Sequence, residues 1–352
     1  MPKEIQIEKV KKSRVDEVLA GPLAFGKHFS DHMFVADFSN GEWSSGKIVP
    51  YGHLPMSPGI SAIHYGQAIF EGLKAYKNED GEVMVFRPID NLNRMNESAK
   101  RMLMPTIPVD FFMDALKNLI HLDREWVPKK QGCSLYIRPV MFATDEAIGV
   151  RPSDTYKLVI FTSPSGMYFS DRVKLLVETQ YTRASEGGVG FAKAAGNYGV
   201  SMFPTKLAQE LGYHQIIWTD SATHEYIEEA GTMNIVLVLG NTLITPPKGG
   251  TILAGVTRDS VLSIAKHWGM RVEERPVRIS EMIESIKNNT LSEAFGTGTA
   301  AVIASVGVIG YDGIDYILPD SSSTSFSVRL STYLSDIRMG KEKDIFGWMF
   351  KI

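Results

Sequence analysis

Lys193 sits in residues 187–199 (GGVGFAKAAGNYG), between Ala192 and Ala194, with Ala195 and Gly196 beyond. Lysines at a surface usually keep polar neighbours, and flanks this small let a bulky planar group approach the backbone. An ε-amine in a low-dielectric pocket has a depressed pKa and can form a Schiff base with an aldehyde. Glu229 lies in Tyr226-Ile-Glu-Glu-Ala-Gly-Thr-Met-Asn234, between an apolar strand and a turn of small residues. A carboxylate there could hold a pyridine nitrogen protonated, which turns the ring into an electron sink. Gly255-Val256-Thr257-Arg258 follows Ile252-Leu253 and opens a helical pattern. Backbone N–H groups at a helix N-terminus bind phosphate well. Gly296-Thr-Gly-Thr-Ala300 offers further N–H and hydroxyl donors. Taken singly, each segment reads more simply as a flexible loop, a surface charge or a turn.

Other motif chemistry is weaker. There is no G-x-x-x-x-G-K-[ST], and residues 188–193 (GVGFAK) end on Lys where a dinucleotide fingerprint needs Gly. His224-Glu-Tyr-Ile-Glu228 lacks the second His of a zincin helix. His28 and His32 are four apart, but His32 opens an alternating strand pattern, which takes the pair out of ligand geometry and gives both a structural or surface role.

The elements that must position these groups follow from periodicity. Strand-like runs fall at 32–38, 82–87, 134–143 and 157–162, then at 174–178, 215–218, 234–239, 242–245 and 271–277. Gly240-Asn241 between two of them is a two-residue hairpin signal. Asp90 can cap a helix carrying Leu92, Met95, Ala99 and Met102 on one face. Phe112, Ala115, Leu116, Leu119 and Ile120 mark a second helix, and 257–268 a third, ended by Gly269. Hairpins interspersed with helices argue for an α+β fold. A polar break at 164–171 (PSGMYFSD) reads equally as a simple hairpin loop or as a linker between halves of similar size; taken as a linker, it gives a small N-terminal domain at 1–166, a linker at 167–173 and a large C-terminal domain at 174–352 carrying Lys193. Small-molecule sites often lie where domains meet.

Composition bounds the partners. The 352 residues are 44% hydrophobic and 22% charged, which is ordinary globular usage. Net charge is -3, so no basic excess is available to neutralise a nucleic acid backbone. The lone cysteine, Cys133, excludes an internal disulfide framework and a multi-cysteine metal site, and fits a reducing cytoplasm. Residues 1–15 lack the apolar core of a signal peptide, and the longest weakly polar run, 299–310, is too short and too Gly-rich to span a bilayer. No metal, nucleic acid or membrane partner is expected.

Together the segments resemble the fold-type IV pyridoxal-phosphate enzymes, and within them the branched-chain amino acid aminotransferases. The resemblance runs through Phe25-Gly-Lys27, Asp31-His-Met33, His64-Tyr65 and Phe70-Glu-Gly-Leu-Lys-Ala75. It continues through Phe86-Arg-Pro88, Asn93-Arg-Met95, Leu135-Tyr-Ile-Arg-Pro139, Lys193 with Gly196-Asn-Tyr-Gly199, and Glu229-Ala-Gly-Thr-Met-Asn234. Ile252-Leu-Ala-Gly-Val256 and Gly296-Thr-Gly-Thr-Ala300 close it. So many segments in order are specific where one would be weak, and the arrangement is similar to the larger, eukaryote-like branch that some bacteria also carry.

The resemblance implies a two-domain α+β fold, pyridoxal 5'-phosphate as cofactor, and ping-pong transamination of leucine, isoleucine and valine with 2-oxoglutarate through an imine at Lys193. It implies that Tyr198 hydrogen-bonds the cofactor's phenolic oxygen, that Glu229 partners its ring nitrogen, and that Arg94, Val256, Thr257 and Thr299 receive its phosphate, with Thr232 in the same cofactor-binding set. Main-chain N–H groups of Ala300 and Ala301 would hold the substrate carboxylate. Phe70, Tyr136 and Tyr168 would line the side-chain pocket, with Arg138 for the distal carboxylate of glutamate. Tyr65, Ile148 and Val150 match positions that reach in from a neighbouring subunit, which implies a homodimer. Some relatives carry Cys-x-x-Cys after the Gly-Thr-Gly-Thr-Ala turn; here Ala301 takes the first position and Ser305 is the nearest polar residue, so thiol regulation is not expected. The linker is also shorter than in those relatives. Two other readings stand beside this one: a D-amino-acid transaminase or aminodeoxychorismate lyase, which generally lack the long N-terminal portion, and a cofactor-free binding protein on the same scaffold, against which Lys193, Glu229 and Arg94 argue together.

Overall fold

Apolar residues at 92, 95 and 99 repeat at the spacing of one helix face, and they are fully buried along the helix Pro88–Arg101. Pro88 opens that helix, where its missing N–H costs nothing. The residue at the cap is Arg87, at φ 49°, and the expectation that Asp90 caps the helix is corrected: Asp90 stands in the first turn and accepts a hydrogen bond from Arg87 Nε at 2.8 Å. An acidic side chain there still favours the positive end of the helix dipole. Helix Val109–Leu122 buries Phe112, Leu116, Leu119 and Ile120 in the same core as Leu92 and Met95.

The computed structural model describes residues 4–166 and 171–352. The described chain forms two compact units, each with its own sheet and core. In the first unit, strand Ser134–Ala143 lies at the centre, antiparallel to Tyr156–Ser165 along its whole length and to Leu73–Lys77 and Ala68–Phe70 on its other edge. His32–Ser39 adds to the far side of Tyr156–Ser165. Pairing across antiparallel strands puts opposed residues on one face, so Lys74, Tyr136 and Ser163 share a face, and so do Arg138 and Phe161.

The second unit contains a closed ring of strands. Met233–Leu239 pairs with Leu291–Gly298, which pairs with Val302–Tyr311, then Val173–Val177, Gln215–Thr219 and Tyr226–Ala230, which returns to Met233–Leu239. Closure removes free edges from these six strands and packs Ile217, Ile235, Leu237, Ala294 and Val306 in one core. The Gly240-Asn241 hairpin joins Met233–Leu239 to Thr242–Thr245, with Gly240 at φ 54°. The run at 271–277 is not one strand: Arg271–Glu274 ends before Pro276, and Val277–Arg278 pairs elsewhere, with Tyr226–Ala230. Helix Val256–His267 runs as the periodicity predicts and ends before Gly269 at φ 76°.

The boundary between the units differs from a single cut. The first unit comprises Met1–Tyr168, Ala192–Gly196 and Ser335–Ile352, and the second Phe169–Phe191 and Asn197–Leu334. The C-terminus belongs to the first unit because strand Met349–Lys351 pairs with Val83–Phe86. Lys193 belongs to it because Ala194 bridges to Ile69. Counted with these segments, the first unit holds more than half of the chain, and Lys193 lies within it. Pro164 and Ser165 are strand residues, and most of the expected linker, with Tyr168, lies outside the described residues.

Candidate active site

Lys193 is pinned by its backbone. Its carbonyl accepts the Phe70 N–H at 3.1 Å, its N–H donates to Ser98 Oγ at 2.9 Å, and Ala195 N–H donates to the Ala68 carbonyl at 2.9 Å. The small flanks have the use their size suggests: Ala192 and Ala194 are buried against the first unit, and the lysine side chain stands half-buried. Its Nζ lies 4.9 Å from the centroid of the Phe70 ring. Ser98 also donates to the Arg94 carbonyl at 3.0 Å, one helical turn back. A single hydroxyl therefore ties the Lys193 peptide to the turn of helix Pro88–Arg101 that carries Arg94.

Arg94 is fixed by Glu71. Nε donates to Oε1 at 2.6 Å and Nη2 to Oε2 at 2.9 Å, and Glu71 is almost fully buried. A two-point fork of this kind sets the plane of the guanidinium as well as its position. Glu71 is held in turn, since its N–H donates to the Pro139 carbonyl at 2.8 Å.

Beside Phe70, Arg138 stacks over the ring at 4.5 Å and donates from Nη2 to Tyr136 Oη at 2.8 Å. Arg138 Nε and Ser163 Oγ are buried without hydrogen-bond partners. Lys74, on the face of Tyr136, is buried, and burial followed by the charge of Arg338 lowers its amine to about 7. Gly72 makes room for Tyr136: a Cβ there would stand 2.1 Å from the tyrosine oxygen. Gly72→Ala is expected to cost ~1–3 kcal/mol, as overpacking does. In Tyr136→Phe the same substitution should cost less, and urea denaturation of the four proteins gives the coupling. A coupling of zero would mean that the glycine serves something other than the tyrosine.

In the second unit, Glu229 is buried and held at both oxygens. Oε1 accepts the Leu253 N–H at 2.8 Å and Asn234 Nδ2 at 3.3 Å, and Arg183 Nε faces Oε2 at 3.2 Å as an ion pair without hydrogen-bond alignment. Asn234 also donates to the Leu253 carbonyl at 2.9 Å, and its Oδ1 occupies the space a Cβ on Gly255 would need, at 2.0 Å. Gly255 is the residue at the cap of helix Val256–His267, and it has no side chain with which to cap it. Glu229 and the peptides of Val256 and Thr257 are thereby brought into one neighbourhood. Thr257 is buried.

Thr299, Ala300 and Ala301 form the turn between strands Leu291–Gly298 and Val302–Tyr311. The turn closes on Val302 at φ 61°, a conformation that β-branched residues rarely take. Thr297 Oγ1, just before it, is buried without a hydrogen-bond partner. Thr232 is exposed in the two-residue turn after Ala230, and Tyr198 is half-buried in the helical turn Gly196–Gly199. Tyr65, Ile148 and Val150 are exposed, the last two at 80% and 90%. His32 is buried, with Nδ1 on Asp123 at 2.6 Å and Nε2 accepting the Val10 N–H at 3.0 Å, which gives it a structural role.

The "Amino-transferase class IV" family model matches residues 68–309, a span that includes Glu71, Arg94, Lys193, Glu229 and Thr257. The chain belongs to the class IV aminotransferase family. Branched-chain-amino-acid transaminase 1 of Bacillus subtilis is 43% identical over 335 residues, 94% of each chain. The branched-chain aminotransferase of Thermoproteus uzoniensis, solved with norvaline, superposes with a TM-score of 0.75 at 26% identity and covers 91% of this chain and 99% of its own. The Escherichia coli branched-chain amino acid aminotransferase superposes at 0.74 and 28% identity, over 91% and 98%.

Sequence reasoning passed over three of the residues that organise this class IV chain. Glu71 stood inside the quoted Phe70-Glu-Gly stretch, but its partner is 23 positions away. Ser98 reads as an ordinary helix serine, and Arg183 as a loop cation. No local pattern marks either, since each acts through tertiary hydrogen bonds.

Proposed function

We propose that the protein is a branched-chain-amino-acid transaminase that uses pyridoxal 5'-phosphate and passes the amino group of L-leucine, L-isoleucine or L-valine to 2-oxoglutarate. The observation that carries this reading is the setting of Lys193, whose peptide is pinned on both sides while its amine projects over Phe70. The near full-length likeness to the Bacillus subtilis transaminase supports it. The donor set also fits the cofactor: an amine for its aldehyde at Lys193, a fixed guanidinium for its phosphate at Arg94, helix N-terminal peptides at Val256 and Thr257, and a buried carboxyl at Glu229 for its ring nitrogen. The orphaned Thr297 hydroxyl points the same way.

When bound, pyridoxal phosphate supplies an aldehyde that receives the substrate amine and a ring that withdraws electrons from the substrate α-carbon. The residues of this chain do the rest. Lys193 Nζ takes the proton from the α-carbon and returns it on the other side of the transferred nitrogen, as base and then acid. Glu229 keeps a proton on the ring nitrogen, and Arg183 keeps Glu229 in place. Arg94, Val256, Thr257 and Thr299 hold the phosphate, Tyr198 the phenolic oxygen, and Thr232 adds to that set. Ala300 and Ala301 offer main-chain N–H groups to the α-carboxylate. Phe70 and Tyr136 present apolar faces to a branched side chain, and the family resemblance adds Tyr168 to that set, while Arg138 and the Tyr136 hydroxyl receive the distal carboxylate of glutamate. One pocket can then serve both substrates in alternate half-reactions.

Ile148 and Val150 leave two β-branched side chains in water, which favours their being covered by a second copy, and Tyr65 is also exposed, at 39%. A homodimer working in the cytoplasm is the reading these exposures and the single cysteine support. No helix of the described residues is long and apolar enough to cross a membrane.

The test is an assay of glutamate formed from 2-oxoglutarate with each of the three L-amino acids and with D-alanine. Turnover with the L-substrates and none with D-alanine is expected. A preference for D-alanine would favour the D-amino-acid enzyme, and no turnover with any would favour a binding protein. A methylene is worth only ~1–3 kcal/mol in an apolar pocket, so the three branched substrates should differ by no more than roughly 200-fold.

A further inference from the structure

Strand Tyr226–Ala230 carries two carboxyl groups in succession, and side chains alternate across a strand, so Glu228 and Glu229 leave opposite faces. Both are buried, at 7% and 4% exposure. Glu229 has the role proposed above, whereas nothing assigns one to Glu228. Its Oε1 accepts a hydrogen bond from Thr251 Oγ1 at 2.6 Å, and its Oε2 is buried without a hydrogen-bond partner. Thr251 gives its carbonyl oxygen to Arg183 Nη2, which donates also to the Gly190 carbonyl at 3.2 Å. Arg183 Nε then faces Glu229. The chain of contacts runs from Glu228 through Thr251 and Arg183 to Glu229.

Charge decides how such a pair can exist. One guanidinium serves two buried carboxyl groups, and it lies against Glu229. An ionised Glu228 would be a second buried negative charge with one oxygen unsatisfied, which is costly. Burial pushes its carboxyl up from the ordinary 4.5, and Asp220 and Glu186 push the same way, against the Thr251 hydrogen bond and the charge of Arg183. The uncharged acid fits the place, and it can keep its bond to Thr251 without drawing Arg183 away from Glu229.

We propose that Glu228 is a positioning residue for Glu229, acting through Thr251 and Arg183 as an uncharged hydrogen-bonding group. The functional half of this inference rests on the transaminase reading; the protonation half does not. Glutamine has the shape of the neutral acid and can accept the same hydrogen bond, while leucine fills the space and cannot.

The experiment compares wild type, Glu228→Gln and Glu228→Leu, as purified full-length protein, by thermal unfolding between pH 4.5 and 8 and by kcat and KM for L-leucine. A carboxyl whose folded pKa is raised contributes stability that is present below its unfolded value and is lost as pH rises through the folded value. Wild type should therefore fall relative to Glu228→Gln as pH rises above 4.5, by roughly 2 °C for each unit by which the pKa is raised. In kcat, Glu228→Leu should lose roughly tenfold, as the loss of one buried hydrogen bond would give, with KM changed less, and Glu228→Gln should recover most of that loss. A melting difference between wild type and Glu228→Gln that stays flat or rises with pH would overturn the inference. So would a glutamine variant as impaired as the leucine one. If the protein transaminates no amino acid while the melting difference still falls with pH, the transaminase reading fails and the uncharged state of Glu228 stands.

Discussion

Replacing Lys193 with alanine is expected to lower transamination by at least ~10^2–10^4-fold, the contribution of a positioned acid–base group, and by more if its covalent role is counted. The fold should hardly notice. The hydrogen bonds that fix residue 193 belong to its main chain, through Phe70 and Ser98, and alanine keeps them all. What is lost is the contact of the ammonium with the Phe70 ring, worth ~0.5–1 kcal/mol at a partly exposed site. Single-turnover kinetics and urea denaturation on one preparation separate the two effects. A variant that is inactive because it is unfolded would show that the pinned peptide depends on the side chain.

Arg183→Leu is expected to have the largest effect on stability, ~3–5 kcal/mol, the usual cost of removing one partner of a buried ion pair. Arg183 does three things at once. It faces the buried Glu229 carboxyl, and its Nη2 satisfies the carbonyls of Gly190 and Thr251. Leucine leaves the two carbonyls without this donor and removes the charge that faces Glu229, whose Oε1 keeps its bonds from Leu253 and Asn234. Gly190 could not move inward to compensate, because a Cβ-sized step there already meets Ala184 at 2.5 Å and the Thr251 backbone at 2.7 Å. Arg183→Lys should restore only part of the loss, since an ammonium is a point charge and cannot present the same fork. Urea denaturation of the three proteins measures this, and a loss under ~1 kcal/mol in the leucine variant would show that Arg183 is not what balances the two acids.

How much of this is legible in the residues depends on distance along the chain. Strand Ser134–Ala143 and the hairpin at Gly240-Asn241 announce themselves locally, by period and by turn chemistry, and both lie where the pattern puts them. Strand Leu73–Lys77 does not, because two lysines interrupt its apolar run. Both are buried nonetheless, Lys77 with a salt bridge to Glu125 at 3.3 Å and Lys74 with its amine near neutrality. Asp90 misleads for a related reason: it has the chemistry of a cap, but Pro88 starts the helix two residues earlier. The return of the C-terminus to the first unit rests on a pairing of Phe350 with Val85, which no window along the chain can see.

The site divides in the same way. Lys193, Arg94 and Glu229 stand out because their flanks are unusual or their segments resemble known ones. Glu71, Ser98 and Arg183, which hold them, sit in unremarkable surroundings and become visible only as hydrogen-bond partners. The residues that do chemistry thus leave a local trace, while those that aim them are set by tertiary contacts.

The most direct measurement is to treat the purified protein with pyridoxal phosphate and borohydride, digest it, and locate the modified peptide by mass spectrometry. The account predicts a single pyridoxyl-phosphate adduct on the peptide that contains Lys193. An adduct on Lys74 or on a surface lysine, with Lys193 unmodified, would contradict it.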